Sequence, residues 1–578
     1  MRRALVAPAI VAIVAVAIVV GLGPGAAGGA AAASYHRAAP SSSPSLPASH
    51  GGTSWCSREP SSASSVTGCV TAPGGPWLRD SLGRALVLHG VNAVFKVPPY
   101  EFTQVAGEPD SLTASDAKEM ASLGFDVVRL GIIWKGLEPG TLPVNSARTC
   151  TEGIVSGSGT GASQLDATTL DDYLARLRNT IDLLGSYGIY SLVDMHQDVY
   201  NELFAGEGAP NWAVCTNGIE PTNTGNWSAN YFTPAVGLAY DHFWDNDVAG
   251  GLQQNYDRVW AAVASYLRND PSVIGYDVFN EPFSTDIATA AGNAAFDSKL
   301  ECFYTGTAHA GEQSETDLPL ACPPTDPAQG AVASIEESDP DHLVFYEPDV
   351  GNDFGETNWI GPMPFGRLVL DFHDYCLASA GQAYYDFYGS PMCSEPEQEV
   401  VSQEQRARAD AATPEQPGGP AWFMSEFGSG EDTVDLGRIA DLADQNLLSW
   451  TYWQWKLYDD PTGGSTEALV SSDGALDKTK AQILVRPYAQ AVAGTPVSMS
   501  YDPTSKVFEL SYSAAASISA PTVVYVPVES TYDVYPSGYC VRATGATVSS
   551  AAGAAHLLLR ADPGAGTVSV KLGPPGEC

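Results

Sequence analysis

Two stretches of the chain set a glutamate at the end of an apolar run. The first is Val278-Phe279-Asn280-Glu281-Pro282, closing the mainly apolar segment 273–279. Proline has no N–H for a sheet ladder, so a strand over 273–279 stops at Pro282 and delivers Asn280 and Glu281 at its end. The second is Ala421-Trp422-Phe423-Met424-Ser425-Glu426-Phe427-Gly428, far downstream. Two strand-end glutamates supply what retaining hydrolysis of a glycosidic bond requires, one proton donor and one nucleophile. Taken alone, Glu281 reads rather as a buried acid in a polar network or an N-cap neighbour to the helix that follows. The second glutamate in the same context favours the catalytic reading.

Further reactive side chains fall at other predicted strand ends. Arg129 closes a short strand at 127–130, where a guanidinium can hold a carboxylate ionised and oriented, or simply form a structural ion pair. His196 follows a strand at 190–194, in Asp194-Met195-His196-Gln197-Asp198. His373 and Tyr375 follow a strand at 367–372, and a phenol there can donate to the nucleophile. Trp453 and Trp455 end a strand at 448–454; one indole is expected to floor a sugar site and the other to fill the core.

These strands belong to a longer alternation. Apolar segments at 85–90, 127–130, 190–194, 273–279, 343–346, 367–372, 422–426 and 448–454 are separated by helical-period segments, the clearest at 114–123, 168–187, 252–267, 330–338 and 435–446. Leu170, Leu174, Leu177, Ile181 and Leu184 form a core-facing stripe on the second of these. Eight strands with interposed helices predict an α/β fold, a (β/α)8 barrel, with the chemistry at its C-terminal face. Segments 201–247 and 381–419 read as insertions over that face. Aromatic residues in the first (Trp212, Trp227, Tyr231, Phe232, Phe243 and Trp244) suggest an apolar groove, or a cap on the barrel. Beyond 494 the helices give way to short strands at 507–512, 522–528 and 566–571, a C-terminal antiparallel β-sandwich. The expected organisation is a signal peptide at 1–33, a Ser/Ala/Pro-rich linker at 34–52, the barrel at 53–493 and the sandwich at 494–578.

Bulk properties narrow the ligand. The chain of 578 residues carries a net charge of −39, which argues against nucleic acid, whose binding depends on Lys and Arg neutralising phosphates. A neutral sugar is compatible with it. Arg2 and Arg3 precede an apolar run from 4 to 21 and a small-residue tail, the pattern of a cleaved secretory signal, with an uncleaved anchor as the alternative. Ten cysteines, all beyond that segment, suggest five disulfides in an oxidising compartment, nearest neighbours being the simplest pairing and Cys540–Cys578 the last. No Cys-x2-Cys or His-x3-His spacing points to zinc. Asn226-Trp227-Ser228 is a formal glycosylation sequon.

Asn280-Glu281-Pro282, Ser425-Glu426-Phe427-Gly428, Arg129, His196, His373-x-Tyr375 and Trp453 together resemble glycoside hydrolase family 5, over nearly all of 77–490. Within it, Asn92-Ala93-Val94-Phe95-Lys96-Val97-Pro98-Pro99-Tyr100, the His196-Gln197-Asp198 triplet and Gly206-Glu207-Gly208-Ala209-Pro210-x-Trp212 resemble the endoglycoceramidase group, as does the appended sandwich. Those enzymes release the intact oligosaccharide from ceramide. The resemblance implies Glu281 as acid/base, Glu426 as nucleophile and Asn280 as ligand of the sugar 2-hydroxyl. It implies that Lys96, His196, Asp198 and Trp453 line sugar subsites and that Tyr375 bonds Glu426. Lys96 is read as a sugar ligand rather than an ion-pair partner, and Arg129 and His373 are counted with the substrate-binding residues.

The expected mechanism is double displacement with a carboxyl separation of about 5 Å. In such a pair, burial and the neighbouring charge keep the donor protonated until the leaving group departs. No metal or organic cofactor is required. The expected partner is a glycosphingolipid or another β-glycoside, with transient contact to a membrane or micelle and a monomeric enzyme secreted from the cell. A barrel hydrolase acting on β-glucan, mannan or simple β-glucosides shares the same catalytic residues, and a non-catalytic carbohydrate-binding protein is the remaining rival.

Overall fold

In a computed structural model, the structure describes residues 69–108, 110–140, 166–246, 251–306, 330–375, 394–464, 466–528 and 532–578. The N-terminal signal-like segment, the linker and Cys56, Cys150, Cys322, Cys376 and Cys393 lie outside the described residues. Eight strands close into a parallel barrel: His89–Ala93, Val127–Ile132, Tyr190–Met195, Val273–Asp277, Leu343–Tyr346, Leu368–Asp374, Ala421–Phe427 and Ser449–Tyr452, each bonded to its neighbours in chain order. All are buried on both faces, which is why they appear in the sequence as continuous apolar runs rather than alternating ones.

Inward-facing side chains follow the strand period of two, except where a register shift at Ile274 interrupts the fourth strand, and change character along the barrel axis. Val127, Tyr190, Leu192, Ile274, Leu343, Phe345, Val369, Ala421 and Phe423 share one core cluster at the N-terminal end. One or two pleats further on stand Arg129, Asp194, Asp277, Glu347, Asp371 and His373, all buried. The barrel is thus a plug of hydrocarbon carrying a layer of charge, with the site above it.

Residues 85–90 are not one strand. Ala85–Leu86 pairs with Tyr488–Val492 in a seven-stranded sheet, and the barrel strand begins only at His89. That sheet also takes in Val70–Thr71, Arg79–Asp80, Thr522–Tyr525, His556–Ala561 and Ala546–Val548. The described residues 70–86 therefore fold into the C-terminal unit, and that unit reaches back before residue 494. A four-stranded antiparallel sheet of Gly494–Asp502, Val507–Ala514, Thr567–Gly573 and Cys540–Thr544 completes the sandwich. Cys540 and Cys578 are joined by a disulfide. Cys69, Cys215 and Cys302 are disulfide-bonded as well. The sandwich is fastened to the barrel by polar contacts: Tyr488 donates to Gly124 O, Tyr525 to Ser122 O, and Arg486 to Asp444 on the helix Thr433–Asn446.

The aromatic residues of the insertion after the third strand are mostly core. Trp212, Phe243 and Trp244 are at most 1% exposed and pack edge-on with Trp134, Tyr256 and Phe303. Those three do not line a groove. Trp227 and Phe232 remain partly in solvent, at 36% and 51%.

Candidate active site

A bulge decides where Glu426 points. Along Ala421–Phe427 the odd-numbered Ala421 and Phe423 face the barrel interior, and a regular pleat would next turn Ser425 inward. The register against the sixth strand shifts between Met424 and Glu426, so that Glu426 pairs with His373. A bulge re-aims a side chain in this way, and here it brings the carboxylate into the charged layer. Gly428 follows at φ +105°, a conformation that glycine adopts without steric cost.

Arg129 is the hub of that layer. It is fully buried, and its Nη1 donates to Glu426 Oε1 at 2.5 Å and to Asn92 Oδ1 at 3.4 Å. Nε and Nη2 both donate to Asp277 Oδ2, at 2.9 and 2.6 Å. Nη2 also donates to Asn280 Oδ1 and Glu347 Oε1, each at 2.9 Å, and lies 3.2 Å from Asp194. Every donor nitrogen is committed to protein. The expected substrate ligand is instead a group that fixes Glu426 and Asn280.

Glu281 lies beyond the fourth strand, which ends at Asp277 rather than at 279. Its φ is +45°, a left-handed conformation that costs a non-glycine residue of order 1–3 kcal/mol and persists only when neighbours enforce it. They do: its N–H donates to Glu347 Oε2 at 2.8 Å, its carbonyl accepts from Gln197 Nε2 at 3.1 Å, and its Oε1 meets His373 Nδ1 at 2.9 Å. The same Nδ1 lies 3.6 Å from Glu426 Oε2. Two carboxylates reached from one imidazole nitrogen have their facing oxygens at most about 6.5 Å apart, no wider than the lower edge of the inverting range and compatible with the retaining separation of about 5 Å.

His373 is itself buried and surrounded by carboxylates. Burial alone would lower its pKa, but Glu426 and Glu347 overcome it and hold the pKa well above the usual imidazole value. Tyr375 donates to Glu426 Oε2 at 3.0 Å. Burial and then Glu426 raise the phenol, so it stays a donor. Glu426 is raised above the ordinary carboxylate value by burial, against the opposing pull of His373 and Arg129. Asn280 fills both ends of its amide, accepting from Arg129 and donating to Gln197 O at 3.0 Å.

A second cluster lies beside the pair. Lys96 Nζ is 2.5 Å from Asp198, 3.1 Å from Asp460 and 3.8 Å from Glu207. It also donates to Thr462 at 2.8 Å and stands 4.5 Å over the ring of Trp453. The expectation of a sugar ligand rather than a salt bridge is corrected in its second half: the ammonium lies among three buried acids and pairs most closely with Asp198 and Asp460. Those carboxylates overcome the lowering effect of burial and raise Lys96, while Lys96 and His196 overcome burial to hold Asp198 low. His196 stacks on Trp453 with centroids 5.3 Å apart and shares Nδ1 with Asp194 at 2.8 Å. The indole N–H of Trp453 donates to Glu467 at 2.9 Å. Trp455 is fully buried and bonded to Asp116, so it is the core member of the two.

Residues 92–459 match the family model described as Cellulase (glycosyl hydrolase family 5), and residues 486–572 match the Glycoside hydrolase family 5 C-terminal domain. The chain belongs to glycoside hydrolase family 5. It is 29% identical over 520 residues to Endoglycoceramidase I of Rhodococcus hoagii, covering 87% of this chain and 88% of that one. It is 28% identical to Endoglycoceramidase of Cyanea nozakii, covering 78% and 82%. Among solved structures, Endo-glycoceramidase II from Rhodococcus sp. superposes as a lactosyl-enzyme intermediate with TM-score 0.62 at 23% identity, over 87% of this chain and 100% of that chain. Its ganglioside GM3 complex gives 0.61 over the same spans.

This family 5 glycosidase thus brings all ten anticipated site residues to one end of the barrel. Sequence reasoning did not single out Glu347, Asp277, Asp194, Asp460, Thr462 or Glu467, and it gave Gln197 no role beyond its motif. Glu347 and Asp277 are single acids in apolar strand context, and that interruption is a signal: an acid at an inward position of a buried strand needs a partner. The loop residues 460–467 carry no such mark.

Proposed function

We propose that this enzyme is a retaining endoglycoceramidase that cleaves the β-linkage between oligosaccharide and ceramide. Glu281 protonates the ceramide oxygen while Glu426 attacks the anomeric carbon, forming a glycosyl-enzyme. Water deprotonated by Glu281 then releases the sugar with net retention. The observation that carries the mechanism is the convergence of both carboxylates on His373 Nδ1. Trp453, His196, Asp198 and Lys96 form the sugar subsites in this reading, and Asn280 bonds the 2-hydroxyl. Arg129, Tyr375 and His373 hold the two glutamates.

The choice of a lipid aglycone is supported by the named relatives and by an aromatic path beside the donor. Phe283, two residues beyond Glu281, contacts Tyr231 and Phe232, and Phe232 and Trp227 are exposed. We propose that this rim touches a micelle or membrane transiently. Among the described residues no helix is long and apolar enough to cross a bilayer. Secretion is proposed from the signal-like N-terminus and the disulfide-bonded cysteines.

The test is incubation with lactosylceramide and a ganglioside in detergent, followed by product identification. Intact oligosaccharide and ceramide, lost in Glu426→Gln, are expected. Cleavage of β-glucan or aryl β-glucosides without the glycolipids would retain the mechanism and sink the lipid substrate.

A further inference from the structure

Glu347 follows the fifth barrel strand and is 2% exposed. One oxygen, Oε2, accepts the backbone N–H of Glu281 at 2.8 Å. The other, Oε1, accepts from Arg129 at 2.9 Å and lies 3.5 Å from His373 Nε2. His373 in turn meets the Glu281 carboxyl through Nδ1. A single carboxylate therefore bonds Glu281 at its main chain directly and stands at ion-pair distance from the imidazole that meets the Glu281 side chain. The Glu347 carbonyl accepts from Tyr304 at 2.7 Å, which fixes its main chain.

We propose that Glu347 is a positioning residue for acid catalysis, holding Glu281 in its left-handed conformation and aiming its carboxyl at the departing oxygen. The inference rests on Glu281 being the proton donor. Its effect falls on the donor rather than on the nucleophile, because Arg129 keeps Asp277, Asp194 and Asn280 when Glu347 is gone and so stays placed to bond Glu426. Glu347 is ionised in this setting: burial would raise its carboxyl, but His373 and Arg129 hold it down at about 2.

A donor-specific role predicts dependence on the leaving group. Ceramide leaves as an alkoxide and needs the proton, whereas 2,4-dinitrophenolate leaves without one. In the full-length enzyme, Glu347→Ala is expected to lower kcat/KM on lactosylceramide by about 10²-fold and on 2,4-dinitrophenyl β-lactoside by less than about tenfold. Azide, which needs no general base, should raise kcat of the variant on the aryl lactoside. Equal losses on both substrates would mean a merely structural role and overturn the proposal.

If Glu347→Ala does not fold, Glu347→Asp and Glu347→Gln carry the test. The shorter Asp cannot span both contacts and should reproduce the split. Gln keeps an oxygen for the Glu281 N–H and should show a smaller one. Equal losses in both of these variants overturn the proposal in the same way. A wild type active on the aryl lactoside but not on lactosylceramide would sink the lipid reading alone, and octyl β-lactoside then replaces the glycolipid as the poor leaving group. A wild type inactive on all three sinks the proposed function, and the role of Glu347 with it.

Discussion

Each catalytic glutamate is fixed by a different kind of neighbour. Glu426 is hydrogen-bonded by one guanidinium and one phenol, Arg129 at 2.5 Å and Tyr375 at 3.0 Å, with the His373 imidazole 3.6 Å away. Removing the phenol leaves the ion pair, so Tyr375→Phe should fold normally and lose roughly 10²-fold in kcat, the scale of one preorganised donor in a dry site. Steady-state kinetics on an aryl β-lactoside checks this, and wild-type kcat would show that the hydrogen bond is idle. Lys96 is a different case. Its ammonium answers Asp198, Asp460 and Glu207 within a pocket closed by Trp453. Breaking a buried pair by removing one partner costs about 3–5 kcal/mol, because uncompensated charge is left behind. Lys96→Met should therefore lower both Tm and sugar affinity, and a variant with unchanged Tm would mean the carboxylates are neutral without it.

The elements explain what could be read from the sequence and what could not. Buried parallel strands show up as apolar runs, so seven of the eight barrel segments were legible to within a few residues, and with them Glu281, Glu426, Arg129, His373 and Tyr375. The first segment was misread because the apolar run 85–88 leads without a break into His89–Ala93, while Ala85–Leu86 serves the sandwich and His89–Ala93 the barrel. The bulge at Met424–Glu426 was also hidden, since it is a property of pairing with the sixth strand and leaves no mark on composition. The partners of Arg129 come from five other strands and strand ends, a convergence that only closure of the barrel creates. The strand that delivers Glu426 has a sensitive point just beyond it. At Gly428 an added Cβ would stand 2.4 Å from the Tyr452 ring, at φ +105°. Gly428→Ala should cost about 2–4 kcal/mol from backbone strain and overpacking together. Because the displaced strand carries Glu426, kcat should fall alongside Tm. A thermal melt paired with kinetics tests this, and wild-type values for both would place the strain elsewhere.

At the scale of the whole molecule the governing fact is the number of buried acids in a chain of net charge −39. Several are raised far above their ordinary values by burial: Asp371 to about 7, with Glu347 adding to the effect, Asp349 and Glu404 to about 7, and Asp126 and Asp257 to about 8. A group whose folded pKa is raised contributes stability that is fully present below its unfolded pKa and lost as pH rises through the folded value. For these carboxyls the loss runs from about pH 4 to about pH 8. His196, raised to about 10 by Asp194 against burial, adds a loss in the same direction from its unfolded value upward. Glu347, held down at about 2, and Asp198, also held low, work the other way: their stabilisation is present above about pH 4 and disappears as pH falls. The two trends cross in mild acid, so Tm should peak near pH 5 and be several degrees lower at pH 8. Surface repulsion among the excess acids predicts the same slope, but it is screened by salt, whereas buried groups are screened far less. The fall in Tm from pH 5 to pH 8 should therefore persist in 0.5–1 M NaCl. Its disappearance in salt would assign the slope to the surface, and a Tm that holds or rises to pH 8 would show that the buried carboxyls ionise without cost.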